Sequence, residues 1–348
     1  MRRAAGRALP LVLPLAAIFW LQLTAELRNG DASAASLLIA LATVTFVMAR
    51  GVSLVNSVAV PGLVVLAAAA FAVLRRDVLL GGPLDAPLGY SNAAGALYML
   101  AAAAALLLVL RVRGPAARVV FAIAAIAFAA IPVLNEARTA MVVVCLMPLA
   151  LLVRDARALR AVIVASGVIL VAANLLVVAV ASTYVLGRPM SRAQHVVASA
   201  LSGRRLLLWR EALEMLDREP LFGVGPGRFP LESATARADR DTQWPHSEPL
   251  HFAAESGLPG LLLGSALMAW AFAWLWREPA DFTSAALGTA VLTGAGLQAS
   301  VDYVLHFPAV IVAAAALVGA ARGMTAATAR TTALPPAPLV YHRPVLLQ

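Results

Sequence analysis

The chain is made largely of apolar runs bounded by arginine, glycine or proline. A helix needs about 20 apolar residues to cross the roughly 30 Å hydrocarbon core of a bilayer. Ten runs approach this length: Ala8–Leu23, Ala32–Ala49, Leu54–Leu74, Asn92–Leu110, Ala117–Leu134, Thr139–Val153, Ala161–Tyr184, Gly257–Trp276, Phe282–Val301 and Val304–Ala321. We therefore predict an all-α, polytopic integral membrane protein with about 10 transmembrane helices. Little more than Asp302 and Tyr303 separates the last two runs, so they form either a tight turn or a re-entrant pair.

Composition supports this class and excludes several others. The chain is 61% hydrophobic and only 13% charged, far from the average of soluble domains. Its single cysteine, Cys145, excludes a disulfide framework and a cysteine-based zinc site. Every one of its 27 basic residues is arginine, so a Walker-A loop and a pyridoxal Schiff base, both of which need lysine, are excluded.

The distribution of arginines predicts the orientation and gives the basic charge of +9 a topological meaning. With the N-terminus inside, the short inside segments hold 14 arginines and the short outside segments hold four, namely Arg28, Arg75, Arg76 and Arg138. Arginine collects in cytoplasmic loops of membrane proteins. We therefore predict that both ends lie inside, and we do not interpret the charge as nucleic-acid binding.

Four units follow from this topology. They are N-terminal helices over residues 1–184, one large external loop containing short helices over 185–256, C-terminal helices over 257–321, and a disordered cytoplasmic tail over 322–348. The tail is rich in Ala, Thr and Pro and has too little apolar periodicity to pack. The external loop concentrates the polar residues, so we expect the chemistry there.

The loop contains a predicted amphipathic helix with Ser202 as its N-cap. Arg205 and Trp209 fall on its apolar face, at a spacing of i and i+4. An arginine beside a helix N-terminus suits a phosphate or pyrophosphate group. The alternative is that Arg204 and Arg205 only pair with carboxylates of the same loop.

Two further segments precede the return to the membrane. A glycine run over residues 220–229 allows sharp turns but is not a dinucleotide fingerprint, because no strand precedes it. In the segment 244–257, His246 and His251 are five residues apart, off the i, i+4 face of helical zinc sites. We predict no metal site here, and His246 is either structural or a hydrogen-bonding or proton-accepting group. Arg138, at the external start of the sixth run, shares a membrane side with these residues.

In this order and spacing, the motifs resemble the O-antigen ligase and O-antigen polymerase-like family of bacterial polysaccharide assembly. Four segments carry the resemblance: Arg138-Thr139-Ala140, Ser202 to Trp209, Pro220 to Phe229, and His246-Ser247 to Gly257. Asp302-Tyr303 is a weaker fifth match. The departure is Ser247, where the family usually has asparagine.

The resemblance implies a GT-C-type glycosyltransferase in the bacterial inner membrane, with its active site facing the periplasm. Such enzymes transfer a glycan from undecaprenyl pyrophosphate to a glycan or glycolipid acceptor such as the lipid A core, with inversion and without metal or other cofactors. By position, the catalytic residues would be Arg138, Arg205 and His246. The substrate-binding residues would be Arg204, Trp209, Arg228 and Glu255.

Two alternatives remain open. One is a repeat-unit polymerase of O-antigen or exopolysaccharide from the same family. The other is a lipid-linked glycan transporter, which should carry its polar residues near the bilayer midplane. The apolar runs are nearly free of charge and the polar residues gather on one side, which favours the enzyme.

Overall fold

The structure is a computed structural model that describes residues 2–74, 88–134, 136–185, 189–200, 202–238, 243–277 and 281–331. The described residues form helices and no strands. The first seven are α1 Arg2–Arg28, α2 Ser33–Val55, α3 Ala59–Leu74, α4 Ser91–Arg111, α5 Pro115–Leu134, α6 Arg138–Leu146 and α7 Ala156–Val185. The others are α8 Arg192–Ala200, α9 Gly203–Arg218, α10 Phe229–Glu232, α11 Ala234–Ala238, α12 Glu248–Trp276, α13 Phe282–Val301 and α14 Pro308–Thr331. Short 3₁₀ helices occupy Met147–Leu152 and Val304–His306.

Six of the described helices have the length and apolar composition needed to cross a membrane, namely α1, α2, α4, α5, α7 and α12. Three shorter segments are also apolar: Ala59–Leu74, Arg138–Leu152 and Pro308–Ala321. These helices support the predicted polytopic membrane protein. The count of about ten spans remains a prediction, as does the external position of the loop.

Helix α4 lies at the centre of the bundle. In its apolar stretch 83% of the residues are buried, against 17% in α5. It packs against α3, α5, α6, α13 and α14. The alanines of α4 allow this close approach, because small side chains bring helix axes together in membrane proteins. Helix α5 instead exposes Val120, Ile123 and Ile126, an outward apolar surface suited to lipid.

Helices α4 and α13 run antiparallel and are joined at both ends by an aspartate. At one end Arg111 donates to Asp281 and, at 2.7 Å, to Ser284 Oγ. Asp281 also caps α13 by accepting from the backbone N–H groups of Thr283 and Ser284. At the other end Asp302 follows α13 and meets the start of α4. This second end holds the candidate site.

Helix α12 contains a sharp break at Gly257, where φ is 67° and Pro259 follows. The turns of the glycine run dock on this break. The N–H groups of Val224 and Gly225 donate to the carbonyls of Ala254 and Glu255, both at 2.9 Å. A Cβ atom on Gly257 would lie 2.3 Å from the Leu221 carbonyl oxygen. The glycine run therefore positions the loop against α12.

Two predicted ranges differ locally from the helices of the structure, while the division into four units remains a prediction. The return helix begins at Glu248, within the predicted external loop, since the helix continues through the break at Gly257. Helix α14 extends to Thr331, so residues 322–331 of the predicted disordered tail are helical. The remainder of that tail, residues 332–348, lies outside the described residues, as do Arg75, Arg76 and Asn135.

Candidate functional site

The carboxylate of Asp302 is the centre of a polar cluster. It is 3% exposed and accepts hydrogen bonds from Tyr90 Oη, at 2.6 and 2.7 Å to its two oxygens. Asn92 Nδ2 donates to Oδ2 at 2.5 Å, and His246 Nδ1 lies 3.0 Å from Oδ1. Buried carboxylates are stable when they are paired and hydrogen-bonded. Asp302 meets both conditions.

Asp302 is held in its ionised form. Burial raises the pKa of this carboxyl, but the hydrogen bond with His246 and the positive charge of Arg205 outweigh burial and leave the pKa below its ordinary value of 3.8. An ionised carboxylate can only accept hydrogen bonds. The hydrogen of the neutral imidazole therefore resides on His246 Nδ1, and Nε2 is left with a lone pair that can accept a proton.

Backbone geometry fixes the direction of the His246 ring. The residue has a φ of 50°, in the left-handed region that non-glycine residues seldom adopt. Trp209 Nε1 donates to the His246 carbonyl at 3.4 Å, and the imidazole makes a T-shaped contact with the Tyr303 ring, with centroids 4.7 Å apart. An unfavourable backbone conformation that the surroundings hold in place is common at functional sites.

Arg205 completes the cluster from α9. Its NH2 group lies 3.4 Å from Asp302 Oδ2 and 3.2 Å from Tyr90 Oη. Helix α9 begins as predicted: the Ser202 side chain accepts from the backbone N–H of Arg205. The adjacent Arg204 is exposed, whereas Arg205 is partly buried. Of the two arginines, the structure thus brings Arg205 to His246 and Asp302.

Arg138 lies at the first residue of α6, and its side chain is exposed. Helix α6 packs against α4 and α13, the two helices whose ends carry Asp302, Tyr90 and Asn92. The residue before the helix N-cap, Glu136, has a φ of 55°. The catalytic role of Arg138 remains a prediction, supported by this helix packing.

Three predicted substrate-binding residues have structural partners instead. Trp209 is fully buried beneath His246, so it cannot contact a substrate in this conformation and instead supports the His246 backbone. Glu255 accepts from the N–H groups of Gly227 and Phe229, both at 2.9 Å, and holds the glycine run on α12. Arg228 pairs with Glu232 at 2.9 Å, within the same loop. The substrate-binding role of these three residues remains a prediction.

Sequence reasoning missed Tyr90 and Asn92 and gave Asp302 and Tyr303 only a weak motif. Tyr303 stacks on Tyr90 with centroids 4.9 Å apart and an interplanar angle of 13°. Burial raises the pKa of Tyr303 to about 12, so this hydroxyl stays protonated near neutral pH. One sequence signal could have indicated these residues. Tyr90 and Asn92 lie at the start of one apolar run, and Asp302 follows the end of another.

A second polar cluster adjoins the first. One donor atom from each of Glu248, His251 and His306 lies within 4.8 Å of the others, a grouping that can hold a metal ion. His306 comes from the 3₁₀ helix after Asp302, and no sequence motif indicated it. His246 and His251 belong to different clusters, because His246 faces Asp302 while His251 faces Glu248 and Glu255.

Comparison with known proteins finds a similarity to one family over part of the chain. Residues 123–265 match the family model described as O-Antigen ligase. This segment includes Arg138, Arg205 and His246. No curated protein matches the chain significantly. Over residues 123–265 the chain is similar to the O-antigen ligase family, which confirms the resemblance that its motifs predicted.

Proposed function

We propose that this protein is an O-antigen ligase-like glycosyltransferase that moves a glycan from undecaprenyl pyrophosphate to an acceptor hydroxyl at the periplasmic face of the bacterial inner membrane. One observation carries the proposal. His246 Nδ1 lies 3.0 Å from the buried carboxylate of Asp302, and Arg205 lies beside that pair. This arrangement offers a proton acceptor and a positive charge at one place, as transfer from a pyrophosphate donor requires.

The reaction is a single displacement at the anomeric carbon. The acceptor oxygen forms a bond to that carbon while the carbon–oxygen bond to the pyrophosphate breaks, with inversion of configuration. The acceptor proton passes to His246 Nε2, and the electron pair of the broken bond leaves with the pyrophosphate. Asp302 stabilises the imidazolium that results, as a carboxylate does in histidine-based hydrolases.

Arginine supplies the charge for the leaving group. A guanidinium stays charged and binds phosphate oxygens in bidentate fashion. Arg205 already lies at the cluster, and Arg138 begins a helix packed on α4 and α13. We assign both to the pyrophosphate, with the exposed Arg204 as a secondary contact. Loss of one such contact typically costs about 10² to 10³ in rate.

Deletion of the gene in its host tests the function and separates ligase from polymerase. For a ligase, long glycan disappears from the acceptor while long lipid-linked chains accumulate. For a polymerase, single repeats still reach the acceptor. Unchanged surface glycans would count against both enzymes.

Variants expressed in the deletion strain test the assigned residues. His246→Gln keeps a polar side chain but loses the proton acceptor, so we expect transfer to fall about 10²- to 10⁴-fold. Arg205→Ala should reduce it about 10²- to 10³-fold. The exposed His195, in α8, provides the matched control as His195→Gln. Near-normal transfer by both site variants, at equal protein levels in the membrane, would defeat the assignment. Lipid-linked glycan that stays on the cytoplasmic face in the deletion strain would indicate a transporter.

A further inference from the structure

The second cluster, formed by Glu248, His251 and His306, has the composition and spacing of a transition-metal site. Glu248 begins α12 and is 6% exposed. Its Oε2 atom lies 3.4 Å from His306 Nε2, and its Oε1 atom is buried with no hydrogen-bond partner among the described residues. A buried carboxylate oxygen without a partner is costly. An ion bound through Oε2, the oxygen that faces His306, would compensate for the burial of this carboxylate.

His251 directs its ring to the same point. Its Nε2 atom lies 3.2 Å from Glu255 Oε2 but makes no hydrogen bond of acceptable geometry in the described part of the chain. The rings of His251 and His306 lie 5.1 Å apart at 70°. Two imidazole nitrogens and a carboxylate thus converge from two segments that are distant in the sequence.

The distances match those between zinc ligands. Zn–N and Zn–O bonds of 2.0–2.2 Å in a tetrahedral arrangement separate neighbouring ligand atoms by roughly 3.3 Å. The separation of 3.4 Å between Glu248 Oε2 and His306 Nε2 agrees with this value. Only a small shift of His251 is needed to bring its Nε2 to the same centre, since the three donors already lie within 4.8 Å. Glu255 or a water molecule would supply the fourth ligand.

We propose that Glu248, His251 and His306 bind one divalent transition-metal ion, with zinc as the preferred species, at a structural site adjacent to His246 and Asp302. Imidazole and carboxylate ligands suit this class of metal. The ion would join the start of α12 to the turn that follows Asp302. It would not contact the leaving group, so the arginine-based mechanism does not depend on it and the two proposals can fail separately.

Metal analysis of the full-length protein tests the proposal. The protein is purified in detergent with an affinity tag that contains no histidine, stripped with chelator, loaded with zinc chloride and desalted. We expect about one zinc per chain by elemental analysis, and less than about a fifth of that for His251→Gln and for His306→Gln. His195→Gln, the control outside the cluster, should keep the wild-type content.

Cobalt substitution provides a second measurement that does not depend on variants that fold. Titration of stripped wild-type protein with Co²⁺ should give a visible absorption band that saturates at about one equivalent and that zinc abolishes. Zinc should also raise the melting temperature of the wild type, because a ligand that binds only the folded state stabilises it.

Three results would overturn the site. They are wild-type zinc content no higher than that of the two cluster variants, an equal loss of zinc in His195→Gln, or no saturable cobalt band. In each case the cluster would be a set of polar contacts among His251, Glu255, His306 and Glu248, without a metal.

Discussion

The two ends of the α4 and α13 pair use the same residue types in different ways. At one end, Asp281 binds Arg111 and Ser284 and caps α13. Its side-chain partners in the described part of the chain belong to α4 and α13 themselves. At the other end, Asp302 binds Tyr90 and Asn92 from the start of α4, but also His246 from the loop and Arg205 from α9.

The difference separates a structural ion pair from a candidate catalytic one. The Arg111 side chain is 9% exposed, and its contacts with Asp281 and Ser284 fasten the two helices. Arg205 is more exposed, at 22%, and its contact with Asp302 is long at 3.4 Å. A partly exposed charge with long contacts can still turn to a substrate anion, whereas a buried charge in a close pair is held in place. Strongly perturbed, multiply partnered groups are typical of functional sites.

The largest expected effect separates the two aspartates by activity. Asp302→Asn removes the charge that stabilises the His246 imidazolium, so we expect glycan transfer per folded molecule to fall about 10²- to 10⁴-fold. Asp281→Asn leaves Arg111 without its counter-charge and should lower the melting temperature in detergent, while transfer per folded molecule stays near normal. The measurement is transfer in the deletion strain, normalised to protein in the membrane. Equal loss of transfer in both variants would remove the distinction between the two ends.

A smaller effect is expected from the hydroxyl groups that each aspartate binds. Tyr90→Phe removes a donor to the ionised Asp302 and the oxygen that Arg205 contacts. A hydrogen bond to a charged group contributes about 1.5–3 kcal/mol, so transfer should fall roughly tenfold or more. Ser284→Ala removes the corresponding hydroxyl at Asp281 and should leave transfer unchanged. A fall in transfer for Ser284→Ala as large as for Tyr90→Phe would contradict this contrast.

The smallest effect is an acid dependence of stability at the Asp302 end. Because the folded pKa of Asp302 lies below the ordinary value of 3.8, its stabilisation is complete above that pH and is lost as the pH falls through the folded pKa. The difference in melting temperature between wild type and Asp302→Asn should therefore shrink below about pH 3.8. Thermal unfolding in detergent across this range provides the measurement, and a difference that does not change with pH would rule out the ionised pair.

The sequence predicted the local features well. Apolar length gave the helical membrane class, and the Ser202 N-cap and the i, i+4 spacing placed Arg205 and Trp209 on the inner face of α9. Because these features depend on residues that are close together in the sequence, they can be predicted from a single sequence. The same spacing did not predict how deeply Trp209 is buried, which the structure shows to be complete, and its role as a substrate contact remains a prediction.

The features that were missed depend on long-range contacts. Tyr90 and Asp302 are 212 residues apart, and no periodicity in either segment indicates that they meet. His306 likewise joins Glu248 only because the turn after Asp302 folds back onto α12. The predicted span begins at Gly257, because the apolar run begins there. That pattern does not reveal that the helix already starts at Glu248 and continues through the break.

The family match ends at residue 265. This limit determines whether the candidate site could be transferred to another protein as one segment. The matched segment carries Arg138, Arg205 and His246 but neither Asp302 nor its partners Tyr90 and Asn92. A chimaera that received only this segment would import the arginines and a histidine with no acidic partner. Residues 123–265 alone therefore cannot transfer the complete site. The protein that receives them would have to provide its own aspartate at the end of a neighbouring helix.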